Sequence, residues 1–391
     1  MVTAPDASAL HVQRFTVPFE YPVVFTRDLF APDNGALAWA VARQEPAREH
    51  RCLFVVDGGV AAHWPDLEAR IQAYARAHRG LTLAGELREV PGGEASKADG
   101  TTVERVLRWI ADERIDRHAY VVALGGGAVL DTVGYAAALA HRGVRLIRVP
   151  TTVLAQNDAG VGVKNGINGF GGKNFLGTFV PPHAVLNDAN WIRTLSPRDR
   201  IAGIAEAVKV GLIRDGAFFD WLEANANGLH EGAEAVTATM IRRCAELHLQ
   251  HIATSGDPFE RGSARPLDYG HWSAHKLELL SGHGLRHGEA VSIGMLLDAQ
   301  YAALCGDLKS ADVRRLASVL STLGLPRWHD ALEHRSEGGR AVLDGLEEFR
   351  EHLGGQLTVT LLRGLGDAVE VHEIDRTRMD AAIDALRDDA A

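Results

Sequence analysis

The sequence predicts an α/β Rossmann-like N-terminal domain over residues 1–182 followed by an all-α C-terminal domain over residues 183–391, and three observations predict it. Residues 118–152 read as one βαβ unit. In it Tyr120-Val121-Val122-Ala123-Leu124 is a short apolar run, Gly125-Gly126-Gly127 a turn without side chains, 128–141 a helix and 144–149 the next strand. Upstream, residues 51–57 (RCLFVVD) form an apolar run that ends in a carboxylate and Gly58-Gly59, as strand ends facing a ligand in an open α/β sheet do, though Asp57 equally reads as a turn residue. Beyond Pro181-Pro182 the pattern changes: 196–229, 233–254, 266–280, 288–303 and 311–323 all read as helices, with few β-rich runs before 357–362.

Taken in order, residues 15–17 and 21–25 alternate in polarity and read as edge strands. A helix is expected over 29–44, a strand over 51–57, a helix over 67–78 and a strand over 81–90. Pro91-Gly92-Gly93-Glu94 then turns the chain into a helix over 97–114. By hydropathy alone, 119–140 is long enough to span a bilayer. Three glycines and Asp131 inside it would leave irregular backbone and a carboxylate in hydrocarbon, so the βαβ reading is preferred. From Pro150 to Pro182 the chain is small, polar and glycine-rich with little periodicity, too long for a plain connection, which is the mark of a functional loop. With the domain boundary at Pro181-Pro182, a cleft between the two domains is expected.

A net charge of −10 over 391 residues argues against nucleic acid or an anionic membrane as partner, so an anionic ligand must be held by locally placed Lys and Arg. Cys52, Cys244 and Cys305 are odd in number and widely separated, which fits a reducing cytoplasm without a disulfide framework. No basic segment followed by an apolar one opens the chain, so no signal peptide is expected.

Three constellations carry chemistry. The glycine turn departs from the usual dinucleotide fingerprint and reads GGG-x-x-x-D, ending at Asp131; packing alone also explains such glycines. A carboxylate and two imidazoles with an open position make a catalytic zinc set, and the second half supplies Glu206 in IAGIAEAVKVGLI, His271 and His275 in GHWSAH, and His287 in RHGEAV. Glu206 lies three residues before Lys209, so both project from one helix face; the plain alternatives are a solvated ion pair and a capped core histidine. The third constellation is basic: Arg142, Lys164, Lys173 and Lys209, with Asn168 and Asn174, are candidate anion binders in places where glycine also lets backbone N–H groups approach, the plain alternative being ordinary surface cations.

These residues fall in blocks, PGGEASK (91–97), GGGAVLD (125–131), RGVRLIRVPTT (142–152), DAGVGVKNGIN (158–168), GKN (172–174), AGIAEAVKVGLI (202–213), GHWSAH (270–275) and HGEAVSIGM (287–295), through which the chain resembles the 3-dehydroquinate synthase superfamily of sugar phosphate cyclases over nearly its whole length. The resemblance implies a dehydroquinate synthase-like fold, a homodimer, NAD and Zn2+, with Co2+ as a possible substitute. It implies Glu206, His271 and His287 as metal ligands. Around NAD it places Asp57, Glu94, Lys97, Gly126, Gly127, Asp131, Thr151, Thr152, Asp158, Lys164, Lys173 and Thr194. It gives substrate contacts to Asp158, Lys164, Asn174, Lys209 and His275, and has Arg142 reach the phosphate in the neighbouring subunit. The implied chemistry is oxidation of a secondary alcohol, β-elimination of phosphate, reduction, and intramolecular aldol closure. The cofactor ends as it began, so it should be held rather than exchanged.

The departures bear on the substrate. Where dehydroquinate synthases usually carry VGGKTGIN, this chain has Val163 and Asn165. Their arginine and asparagine before the first zinc histidine become Ala264 and Asp268, with Arg265 shifted by one; a helix lysine becomes His248 or Gln250, and a lysine near the C-terminus becomes His352 or Arg350. Losing cations that hold a carboxylate, and gaining Asp268, disfavours a carboxylated substrate by Coulomb repulsion. The expected substrate is therefore a neutral-headed ketose phosphate, first of all sedoheptulose 7-phosphate, as in valiolone-type synthases. The alternatives are a 3-dehydroquinate synthase acting on 3-deoxy-D-arabino-heptulosonate 7-phosphate, a metal-dependent polyol dehydrogenase, and a non-catalytic NAD-binding protein.

Overall fold

The computed structural model describes residues 10–170, 172–260, 267–352 and 355–390. Its first half is built on a parallel sheet. The strands are β1 (Val23–Thr26), β2 (His50–Asp57), β3 (Leu81–Leu83), β4 (Arg88–Val90), β5 (Tyr120–Gly125), β6 (Arg145–Pro150) and β9 (Ala184–Asp188), ordered β1-β9-β6-β5-β2-β3 with β4 also on β2. The sheet is parallel because each return runs through a helix or long crossover: α1 (Ala36–Ala42), α2 (Gly58–His63), α3 (Leu67–Ala77), α4 (Thr101–Asp112) and α5 (Gly127–Leu139). Its apolar residues sort by parity. Phe54, Val56, Tyr120, Val122 and Leu124 pack on one face with Leu29, Phe30 and Tyr74. Leu53, Val55, Val121 and Ala123 pack on the other with Val106, Ile110 and Val133. Helices thus cover both faces, and the ligand-facing edge is the carboxyl ends of the strands.

Several elements differ from the sequence expectation for local reasons. Residues 15–17 form no strand and are exposed. The helix expected over 29–44 is only α1: residues 29–33 are turns, and Asn34 turns the chain into the helix by accepting from the Ala36 amide one residue before the N-cap Gly35. The 81–90 strand is split into β3 and β4 at Gly85, which has φ +75°. The 97–114 helix starts late: Gly93–Lys97 is a 3-10 turn and Gly100, at φ +74°, precedes α4. The 150–182 stretch holds an antiparallel hairpin, β7 (Lys164–Gly169) and β8 (Gly172–Phe179). Glycine disguised it: a Cβ on Gly166 would lie 2.8 Å from the Leu176 carbonyl oxygen, and one on Gly177 2.9 Å from that of Asn165, so close strand approach took the place of an apolar period. The chain re-enters the sheet as β9, past the expected boundary at Pro181-Pro182, because β6 and β1 both need a hydrogen-bonding neighbour there.

The second half is helical: α6 (Pro197–Ala202), α7 (Ile204–Arg214), α8 (Gly216–Ala224), α9 (Ala226–Glu231), α10 (Glu234–Thr254), α11 (His271–Leu280), α12 (His287–Cys305), α13 (Ser310–Leu323), α14 (Asp344–His352) and α15 (Arg376–Ala390). The single helical run expected over 196–229 is four helices, with Ser196 and Asp215 capping α6 and α8. Two small hairpins, β10 (Arg335–Ser336) with β11 (Gly339–Arg340) and β12 (Val359–Gly364) with β13 (Asp367–Val371), are added to the helices. Helix α7 is buried along nearly its whole length, so the domain has one core around it. Among the described residues no helix is long and apolar enough to cross a membrane.

Candidate active site

Glu206, in the first turn of α7, and His271 and His287, the first residues of α11 and α12, converge. Glu206 Oε1 lies 3.7 Å from His271 Nε2 and 3.8 Å from His287 Nε2, and the three donor atoms lie within 4.8 Å of one another. Ligand atoms on a tetrahedral zinc are about 3.4 Å apart, so the cluster is slightly wider than a closed site. The helices come this close because glycines let backbones touch. A Cβ on Gly288 would stand 1.8 Å from the Ala202 carbonyl oxygen, and one on Gly294 2.1 Å from that of Gly270.

The donor chemistry fits a divalent cation. The Glu206 carboxylate is fully buried; Oε2 pairs with the Lys209 ammonium, and Oε1 has no hydrogen-bond partner among the described residues. Burial pushes its pKa up, against the pull of the adjacent Lys209 ammonium. Each imidazole keeps Nε2 for the centre because Nδ1 is taken: that of His271 lies 3.0 Å from the Tyr269 carbonyl oxygen, that of His287 3.3 Å from Glu278 Oε2. Burial, then Lys209, holds His271 well below its ordinary value, so it is neutral as a ligand must be. Burial works against the Lys209 ammonium too, but Glu206 and Asp158 outweigh it and its pKa is raised. The expected solvated Glu206–Lys209 pair is therefore a buried one. The His275 ring reaches the surface, and desolvation by the atoms around it, then the neighbouring His287, hold it down to about 4.

Opposite the cluster lie the strand ends. Asp57 closes β2 and caps α2 by accepting from the Gly59 amide. A Cβ on Gly92 would stand 2.4 Å from its Oδ1, so the 91–94 turn and Asp57 are in contact. Gly126 precedes α5, whose N-terminus has no side-chain cap, leaving first-turn N–H groups for an anion. A Cβ on Gly126 would lie 3.2 Å from Thr152 Cγ2, and one on Gly127 3.1 Å from Ala159 Cβ, so Gly126, Gly127, Thr152 and the Asp158 loop share one edge. Thr151 joins them by donating its backbone N–H to the Gly125 carbonyl oxygen at 3.0 Å. Lys97 Nζ donates to Asp131 Oδ2 at 2.6 Å and to Asn174 Oδ1 at 2.8 Å, which groups Asn174 with that edge. Glu94 lies on the same 3-10 turn as Lys97, and Thr194 ends another, Ala189–Thr194.

The loop of Asp158 and Lys164 faces α10. Asp158 Oδ1 is 2.9 Å from His248 Nδ1, and Lys164 Nζ is 2.6 Å from Glu260 Oε1. Burial works to raise the Asp158 pKa, but His248, Lys209 and Lys164 reverse it and hold the carboxyl well below the usual range. Asp268 precedes α11, and its carboxylate acts on Lys209 and His275. Lys173 reaches Glu278 Oε1 at 2.9 Å, tying β8 to α11. Arg142 is exposed beyond the far end of α5, about 20 Å by helix rise from the glycine turn. Among the described residues it has no ion-pair partner and takes no part in its own chain's site. Arg265 and the His352 side chain lie outside the described residues. Sequence reasoning missed Tyr269, Glu278 and Glu260; Glu278, seven residues after His271 on the same helix, was within reach of spacing.

Fold and site together define a two-domain architecture that combines a dinucleotide-type sheet edge with a buried helical cluster of a carboxylate and two imidazoles, the donor set of a divalent cation. The family models "3-dehydroquinate synthase N-terminal" and "3-dehydroquinate synthase C-terminal" match residues 87–202 and 203–342. Relatives named 3-dehydroquinate synthase include one from Jannaschia sp., 33% identical and covering 90% of this chain and 94% of its own, and one from Nitrobacter hamburgensis, 39% identical and covering 83% and 84%. The solved structure of 2-epi-5-epi-valiolone synthase from Streptomyces hygroscopicus subsp. jinggangensis with NAD+ and Zn2+ bound superposes with a TM-score of 0.85 at 30% identity, covering 97% of this chain and 100% of that one. A 2-deoxy-scyllo-inosose synthase complexed with carbaglucose-6-phosphate, NAD+ and Co2+ gives a TM-score of 0.73 at 25% identity, covering 92% and 95%. The chain belongs to the 3-dehydroquinate synthase family.

Proposed function

We propose that the protein is a sugar phosphate cyclase that holds NAD at the strand-end edge and zinc, or cobalt in its place, at Glu206, His271 and His287, and that converts sedoheptulose 7-phosphate to a valiolone-type cyclitol. The observation that carries the cyclase reading is the convergence of those three donors beside Lys209. When bound, NAD supplies reversible hydride transfer and the cation supplies Lewis acidity for the reacting oxygen. The chain's own groups do the rest. Lys209, kept charged by Glu206 and Asp158, donates to oxygens of the substrate. His275, neutral at physiological pH, accepts a proton on the cleft side. Lys173, oriented by Glu278, and Asn174 stand where a leaving phosphate needs compensation, and Arg142, too far from its own site, serves the partner in a homodimer. Three free cysteines accord with a cytoplasmic enzyme.

The neutral head group is supported by three features at that end of the cleft: Glu260 neutralises Lys164, His248 is engaged by Asp158, and Asp268 adds negative charge beside His275. A substrate carboxylate would meet repulsion there. The second reading, 3-dehydroquinate synthase, is favoured by the names of the sequence relatives. Incubation with sedoheptulose 7-phosphate and, separately, 3-deoxy-D-arabino-heptulosonate 7-phosphate tests the choice. Phosphate release from the first alone is expected; release from the second alone assigns the dehydroquinate reaction instead. Neither reaction accumulates NADH, whereas a polyol dehydrogenase does.

A further inference from the structure

Arg148 sits inside β6 with none of its surface exposed, and no carboxylate forms an ion pair with it among the described residues. Its guanidinium is spent on one loop. Nη1 donates to the carbonyls of Gly162 at 2.9 Å, Gly160 at 3.2 Å and Ala159 at 3.4 Å; Nη2 donates to the Lys164 carbonyl and to Asn165 Oδ1, both at 2.7 Å. A buried cation satisfied only by neutral acceptors is an expensive way to fill a strand interior that an apolar side chain fills at lower cost. The cost is offset only if the loop it shapes matters, and that loop runs from Asp158 to Lys164.

Two further residues are fitted to the same arrangement. Asn165, where dehydroquinate synthases usually have threonine, accepts from Arg148 and donates through Nδ2 to the Val180 carbonyl at 3.2 Å, joining the loop to the chain just past β8 at the open end of the hairpin. Gly134 on α5 makes room for it: a Cβ there would lie 1.9 Å from Asn165 Oδ1. A side chain at 134 would turn Asn165 out of the reach of Arg148 without touching the arginine.

We infer that Arg148 is a positioning residue, with Asn165 and Gly134 as its supports: the guanidinium fork fixes the 158–165 backbone so that Asp158 and Lys164 face the cleft in the geometry that cofactor and substrate require. This rests on the reading of Asp158 and Lys164 given above. A lysine does not replace the fork, because a point charge reaches one or two of the five acceptors.

The test compares R148K, N165A and G134A with the wild type in four measurements: thermal midpoint, Co2+ affinity, NAD+ affinity by calorimetry, and phosphate release from whichever heptulose phosphate the wild type turns over. R148K and G134A should lower kcat about 100-fold, as a misplacement near 1 Å does, and weaken NAD+ about tenfold. Co2+ affinity should stay within about twofold, because the metal donors stand on α7, α11 and α12 rather than on this loop. N165A removes the contact that G134A displaces and should match it. Should R148K fold poorly, G134A and N165A carry the test with the arginine in place. Turnover and NAD+ affinity within about twofold of wild type in R148K or G134A would overturn the inference, as would parallel loss of Co2+ affinity, which marks a general core role. If the wild type releases phosphate from no sugar phosphate, the functional reading fails by itself, and the NAD+ affinities of the variants still decide the role of Arg148.

Discussion

Glu278 holds His287 by its Nδ1 at 3.3 Å and, through its other oxygen, holds Lys173 at 2.9 Å, so one buried carboxylate joins an imidazole of the candidate metal cluster on α12 to a cation on β8. Its pKa falls to about 2 because His287 and Lys173 outweigh the burial that opposes ionisation. Removing an outer partner of this kind costs about 10- to 100-fold in metal affinity. E278A should therefore bind Co2+ that much more weakly in a competition assay with a chelator while keeping its far-ultraviolet circular dichroism; undiminished affinity would show that His287 needs no such support.

Metal removal should separate the two binding functions. A chelator, or the H271A substitution, should abolish phosphate release and leave NAD+ affinity within about threefold, since the NAD edge belongs to the sheet domain and the donors to the helices. Added Zn2+ or Co2+ should restore the chelated enzyme and not the variant. Turnover persisting in H271A counts against the ligand assignment.

Helix approach at the site depends on Gly288. Its substitution by alanine places a Cβ 1.8 Å from the Ala202 carbonyl oxygen, a backbone atom that cannot rotate away, so α12 must shift from α6 beside His287. G288A should cost about 3 kcal/mol in denaturant unfolding and weaken Co2+. An unfolding midpoint equal to wild type would mean the contact relaxes freely.

Stability should carry a pH signature from Asp298. This carboxyl is buried on α12, accepts from Trp272 Nε1 and the Gly270 amide, and burial pushes its pKa up from 3.8 to about 7. An acid with a higher pKa when folded holds its proton more tightly in the native state. Its stabilisation is full below the ordinary value and is lost as pH rises to about 7, on the order of 4 kcal/mol in all. D298N removes that slope, so the variant should gain on the wild type in urea titrations between about pH 4 and about pH 7. Curves that stay parallel would refute the shift.

Substrate choice should respond to Asp268. D268N removes a negative charge beside Lys209 and His275 and should raise kcat/KM for the carboxylated heptulosonate phosphate relative to the neutral heptulose phosphate by about tenfold. An unchanged ratio would place the discrimination elsewhere.

The strand core of the first domain was legible because short continuous apolar runs and the Gly125–Gly127 turn are local signals; β2, β5 and β6 fall where the pattern puts them. The β7–β8 hairpin was hidden because Gly166 and Gly177, which let its strands approach, carry no periodicity. The edge strand β9 was lost beyond Pro182 because only its neighbours, β1 and β6, call for it.

Residue types and spacing by themselves offered a donor inventory of a glutamate, three histidines and lysines in a glycine-rich loop, and the blocks these fall in carry the family resemblance that singled out Glu206, His271 and His287. What tertiary structure decided was which of these groups meet. Glu206, His271 and His287 are brought to one point by backbone contacts at Gly288 and Gly294, and Lys164 acquires Glu260 while Arg148 acquires its carbonyls only once distant elements have packed. Charge and hydrogen-bond energies depend on separations of a few ångströms between residues far apart in the chain, and those separations come into being with the packing.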